Sequence, residues 1–280
     1  MSQNIYDTPD FFTNYANLPR SRNGLQDAPE WPRLQIFIPQ LKDTNVLDLG
    51  CGYGWYSRWL HDHGATTIHA VDISENMLAR ARTMTDPVTY PGITYRRGDL
   101  DEVDLSLLLD LKENSVDLVF SSLALHYLAN LKELVGQVQR LLKPGGVFVF
   151  SVEHPILTAP SAQGMVEIPV GRKKKAGSGG LEDPGNSGEK LALRRVWPLD
   201  NYQAEGVRVT DWLADGVRKQ HRTITTYINI LLEAGIELTG FNEWYPTKEE
   251  VEEHPEWVDK FRNETIKPTF LLMRGTKRCV

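Results

Sequence analysis

Three glycines and a downstream carboxylate pose the first chemical question. In "VLDLGCGYGWYSRWL", Val46 to Leu60, an apolar run ends on Gly50, Gly52 and Gly54, and a helical pattern starts at once. Alternate glycines remove side chains and open unusual backbone angles, so the main chain can lie close to a small ligand. The dinucleotide fingerprint G-x-G-x-x-G seats a pyrophosphate on a helix N-terminus, but here Trp55 stands where its last glycine belongs. Eighteen residues beyond Gly54, Asp72 ends the next apolar run and can accept from both ribose hydroxyls. The expected ligand has a ribose and no diphosphate. Two histidines, His126 in "SSLALHY" and His154 in "VEHP", lie just past apolar runs. Imidazole titrates near neutrality, so either is a candidate catalytic base, or else a hydrogen-bonded structural histidine.

The elements that must position these residues alternate. Strands are expected at Val46–Leu49, Thr67–Asp72, Ile93–Arg97, Val116–Ser121 and Val147–Val152. Helices are expected at Trp55–His63, at Glu75–Met84 with Ser74 as N-cap, and at Leu131–Leu142, where "KPGG" ends the pattern. Such alternation predicts parallel strands with helices on both faces. The rhythm then changes. "GRKKKAGSGGLEDPGNSGEK", residues 171–190, has almost nothing to bury and reads as a flexible loop. Leu191–Trp197 and Val207–Leu213 are expected to pair as a hairpin, and a helix over Ile224–Ala234 precedes strands at Ile236–Trp244 and Thr269–Arg274. One domain over 1–280 is expected, with an N-terminal lid over 1–40 and a substrate-capping insertion over 156–222.

The chain has 280 residues, 41% hydrophobic and 24% charged, and a net charge of -6. That balance argues against nucleic acid or an anionic membrane as partner. Two cysteines, Cys51 and Cys279, make no disulfide framework, so a reducing, cytoplasmic setting is expected. No apolar run reaches membrane-spanning length. Nor do these residue types form a metal-ligating pattern.

Taken together, "VLDLGCGYG", "VDIS", "GDL", "VDLVFSSLALHY" and "LKPGGVFVFSVEHP" resemble the class I S-adenosylmethionine (SAM) dependent methyltransferases of the methyltransferase type 11 group. The resemblance implies a Rossmann-like α/β fold, a seven-stranded, mostly parallel sheet closed by an antiparallel final hairpin. It also implies SAM as cofactor. Gly50 and Gly52 would then line its methionine part, with Asp48 near the amino group and the Ser121 carbonyl opposite. Asp72 would hold the ribose, Ile73 and Met77 would flank the adenine, and Asp99 and Leu100 would meet its polar edge. "FFTNYANLPRSRNGL" resembles the lid of small-molecule members, in which Tyr15 and Arg20 would reach the SAM carboxylate.

Aromatic and basic residues of the later half, Trp212, His221, Arg222 and Trp244, are candidates for an acceptor pocket or for the core of the insertion. The expected partner is a small-molecule acceptor of secondary metabolism, and the chain a monomer or weak dimer. The start and C-terminal layout are similar to metabolite methyltransferases that S-methylate the dithiol of an epidithiodiketopiperazine. A thiol suits weak base candidates because thiols are partly ionised at neutral pH. An O- or N-methyltransferase is the close alternative. A non-catalytic SAM-binding module is the alternative of another class.

Overall fold

The architecture comes from a computed structural model that describes residues 3–161, 164–170, 192–254 and 267–279. Three short helices come first: α1 (Pro9–Ala16), α2 (Pro19–Asn23) and α3 (Trp31–Leu34). Each has proline in its first two positions, where the missing N–H costs nothing. Then the alternation begins: β1 (Thr44–Leu49), α4 (Trp55–Asp62), β2 (Ala65–Asp72), α5 (Glu75–Met84), β3 (Ile93–Arg97), α6 (Leu105–Leu109), β4 (Val116–Ser122), α7 (Leu131–Leu141) and β5 (Leu142–Glu153). The later part holds α8 (Pro155–Thr158), β6 (Val166–Val170), β7 (Ala192–Val196), β8 (Gly206–Trp212), β9 (Ala214–His221), α9 (Ile224–Glu233), β10 (Ile236–Trp244), α10 (Lys248–Glu253) and β11 (Phe270–Lys277).

Seven strands form one sheet in the order β10-β11-β5-β4-β1-β2-β3. Strands β1 to β5 run parallel, and β11 is antiparallel to both β5 and β10. The sheet order reverses between β1 and β4, so the crevice for a ligand opens at the carboxyl ends of those strands. Both faces are covered. Leu134, Val138 and Leu141 of α7 and Leu231 of α9 pack with Leu47, Val119 and Phe148 on one face. Trp31, Leu34 and Leu60 pack with Val46, Leu118 and Phe120 on the other. Burial on both faces explains why these strands read as continuous apolar runs.

One expected pairing is corrected. Ala192–Val196 pairs with Val166–Val170, and Gly206–Trp212 pairs with Ala214–His221, so the Leu191–Trp197 and Val207–Leu213 segments are not partners. β8 and β9 meet through a tight turn at Leu213, whose φ is 62°. A short closure costs less chain entropy than a longer one, and the adjacent segment wins. The loop over 171–190 lies outside the described residues.

The β8–β9 hairpin rests on the N-terminal segment. Val217, Ile5 and Phe11 are buried together, with Tyr6, Tyr15, Tyr127 and Trp212 packed around them. Gln3 fastens the two from outside: its side chain donates to Gly216 O at 2.9 Å and accepts from Arg218 N at 2.8 Å. Among the described residues no helix is long and apolar enough to cross a membrane.

Candidate active site

A cavity of about 370 Å³ opens at the switch point. Its floor is the turn after β1. Gly50 and Gly54 both have positive φ, 74° and 70°. A side chain at Gly50 would run into Ala124, and one at Gly54 into the Tyr95 hydroxyl. Gly52, between them, faces open space at the cavity. Arg58 of α4 braces this turn from beneath: it donates to Tyr53 O at 2.9 Å, and its guanidinium lies 4.8 Å from the Trp55 ring.

Asp72 ends β2 on the cavity wall. Its Oδ2 accepts from Gly52 N at 2.8 Å and its Oδ1 from Ser74 N at 2.9 Å, so it locks the glycine turn to the start of α5. Burial raises its carboxyl to about 6, against the pull of the Ser74 and Gly52 amides. Ile73, Met77, Asp99 and Leu100 continue the wall. Asp48 lies behind it, buried, accepting from Ser57 Oγ at 2.6 Å. Burial lifts its carboxyl to about 7. Ser121 is also buried off the cavity, and its hydroxyl donates to Leu49 O at 2.8 Å.

The N-terminal segment closes the other side. Tyr6, Tyr15 and Arg20 line the cavity. Arg20 donates through one terminal nitrogen to both oxygens of buried Glu30, at 2.7 and 2.6 Å. That carboxylate holds the guanidinium charge firmly on. The Tyr6 ring meets Tyr15 and Tyr127 edge-on, with centroids 5.5 and 6.0 Å apart. Asp7 latches the segment to α5, accepting from Ser74 Oγ at 2.5 Å and from Asn76 N at 3.1 Å.

The two histidines part company. His126 lines the cavity, and its Nδ1 accepts from Glu153 N at 3.4 Å, which leaves the ring proton on Nε2. Burial depresses its pKa to about 4, so the ring is neutral across physiological pH. His154 does not line the cavity. It is fully buried, caps α8 by accepting from Ile156 N at 3.1 Å, and pairs through Nε2 with Glu243 at 2.9 Å.

Of the four acceptor candidates, Trp212 alone lines the cavity. His221 is buried between Thr158 Oγ1 and Tyr202 O, at 2.8 and 2.9 Å. Arg222 holds the carbonyls of Leu128 and Ala129, and Trp244 packs 5.3 Å from Phe270 in the core. Apolar surroundings and local backbone partners account for all three. Thr223 caps α9, accepting from Thr226 N.

Sequence reasoning passed over Tyr6, Tyr127 and the Glu153–Lys219 pair. Glu153 ends β5 on the cavity wall, and its Oε1 accepts from Lys219 of β9 at 2.6 Å. One signal was available, since the last residue of a parallel strand faces the crevice. Lys219 gave none, because only the folded hairpin brings it there.

Comparisons with known proteins agree with this geometry. The family described as "Methyltransferase domain" matches residues 47–150. A crystal structure of an S-adenosylmethionine dependent methyltransferase from Mesorhizobium loti is 39% identical, with a TM-score of 0.72, covering 91% of this chain and 100% of that one. A putative S-adenosylmethionine dependent methyltransferase from Listeria monocytogenes is 32% identical, with a TM-score of 0.67, covering 90% of this chain and 99% of that one. A malonyl-[acyl-carrier protein] O-methyltransferase from Pectobacterium atrosepticum is 33% identical over 42% of each chain.

Proposed function

The chain belongs to the class I SAM-dependent methyltransferases, and from that premise we propose that it methylates a small-molecule acceptor held between the glycine turn and the β8–β9 roof. The observation that carries this reading is the shape of the cavity: the N-terminal segment and the roof hairpin close it jointly, leaving room for a cofactor and a compact acceptor.

The residues present fit SAM. Gly52 leaves space where a side chain would intrude, Asp72 offers ribose hydroxyls a carboxylate, and Ile73, Met77 and Leu100 offer apolar faces for an adenine. Asp99 would meet the adenine's amino group. Tyr15 and the remaining nitrogens of Arg20 would take the amino-acid carboxylate, with Glu30 fixing the Arg20 fork. When bound, SAM supplies an electrophilic methyl group on a sulfonium.

The protein then contributes alignment and exclusion of water. The aromatic set of Tyr6, Tyr15, Tyr127 and Trp212 covers the acceptor side. His126 does not act as base in this reading: its Nδ1 is engaged and its Nε2 carries the proton, so it donates a hydrogen bond to the acceptor. The acceptor nucleophile therefore needs no strong protein base. A thiol meets that condition on its own acidity; the relative above whose name states an acceptor is an O-methyltransferase.

Incubation with methyl-labelled SAM and a panel of amines, dithiols, phenols, carboxylic acids, RNA and protein tests the reading. Label is expected in a small molecule; label only in RNA or protein would overturn it.

A further inference from the structure

The acceptor side of the cavity carries one carboxylate in an unusual setting. Glu153 is 19% exposed, on the cavity wall, while its partner Lys219 is 3% exposed and does not reach the cavity. Lys219 Nζ is held at Glu153 Oε1, 2.6 Å away, and lies 4.9 Å from the centre of the Trp212 ring. Among the described residues no protein donor reaches Glu153 Oε2. A half-buried carboxylate with one oxygen anchored and the other open is built to accept a hydrogen bond from a ligand.

The rest of the wall has the same sign. Asp72 and Asp99 also line the cavity, and the cation there, Arg20, is paired with Glu30 as Glu153 is with Lys219. An anionic acceptor would bring its charge against Glu153. An acceptor that arrives neutral and becomes positive meets a favourable field as reaction proceeds.

We propose that Glu153 selects an amine as methyl acceptor, with Lys219 acting as a positioning residue from the roof. The inference deepens the small-molecule reading above and rests on it. The amine enters unprotonated and gives an N–H to Glu153 Oε2. Its nitrogen lone pair forms the new bond to the methyl carbon while the carbon–sulfur bond breaks, leaving its electron pair on sulfur. The nitrogen becomes a cationic ammonium beside the carboxylate and later gives its extra proton to water. Tyr127 and neutral His126 border the same carboxylate, and Arg222 lies beyond His126. Lys219 holds Glu153 ionised against its burial.

The test uses the full-length protein and acceptors that share one apolar body and differ in a single group: amine, thiol, hydroxyl or carboxylate. The amine should take most of the label. Glu153→Gln should lower kcat/KM for the amine roughly 10- to 100-fold, the usual size for losing a charged hydrogen-bond partner, with SAM affinity by calorimetry unchanged. Glu153→Asp gives a second variant if the amide perturbs folding, and should recover part of the activity. Lys219→Met should move the acidic limb of the pH profile to higher pH, because Glu153 then keeps its burial and loses its cation; Lys219→Arg should restore it. Label in the thiol or carboxylate, or an amine rate indifferent to Glu153→Gln with SAM binding intact, would overturn the inference and leave the small-molecule reading standing. Label confined to RNA or protein would overturn both.

Discussion

At the scale of the residue, the cavity is governed by what burial does to ionisable groups. Asp72 is the clearest case. Its carboxyl, raised to about 6, stays ionised at neutral pH and gains protons as the pH falls below that value. SAM affinity should therefore decline on acidification through pH 6, measured by calorimetry from pH 5 to 8. Asp72→Asn should flatten that limb. Asp72→Ala should weaken SAM binding by roughly 1–3 kcal/mol, the cost of leaving buried polar partners unsatisfied.

Asp48 makes the converse point about stability. Its folded carboxyl titrates at about 7 against 3.8 for the unfolded chain. Between those values the folded state holds a proton that the unfolded state has lost, so stability falls as pH rises through the window and levels off above it. Asp48→Asn keeps the contact with Ser57 and removes the buried charge. Its melting temperature should match the parent near pH 4 and exceed it by a growing margin toward pH 8. A parent and variant with parallel pH curves would contradict this. For His126, held neutral by burial, His126→Ala should lower turnover only modestly and leave no change in the pH profile between 5 and 8.

At the scale of the element, the N-terminal segment works as a strap. Asp7 supplies the start of α5 with acceptors that the helix cannot provide itself, while Ser74 Oγ caps from within by accepting from Met77 N. Gln3 ties the same segment to the roof four residues earlier. Asp7→Ala should cost roughly 0.5–2 kcal/mol of stability, read by denaturant titration, and should speed SAM dissociation because the strap carries Tyr6 across the cavity.

The elements of the sheet were legible in the sequence because their signals are local. The run "VLDLGCGYG" shows an apolar strand breaking on glycines, Ser74 precedes a helical pattern, and "KPGG" stops another. What escaped was non-local. β8 and β9 carry polar residues alternating with few apolar ones, so nothing in either marks its partner, and the pairing is decided by the turn at Leu213. Lys219 and Tyr6 escaped for the same reason: Lys219 meets Glu153, and Tyr6 meets Tyr127, only across long stretches of chain that the packing of strap and roof around Phe11 and Val217 brings together. His154 and His221 looked chemical because histidine often is, yet their nitrogens are taken by backbone, Thr158 and Glu243.

At the scale of the whole molecule, a parallel sheet with both faces covered leaves only its strand ends to carry function, and strap, glycine turn and roof converge there. Residues 171–190 offer little apolar surface by composition. Their deletion should shift the melting temperature by no more than a degree or two; a large loss would show them to be part of the core. What the cavity binds is measured directly by equilibrium titration. SAM and its demethylated product should each bind with a stoichiometry of one, and NAD should give no heat. Binding of NAD without binding of SAM would contradict the account.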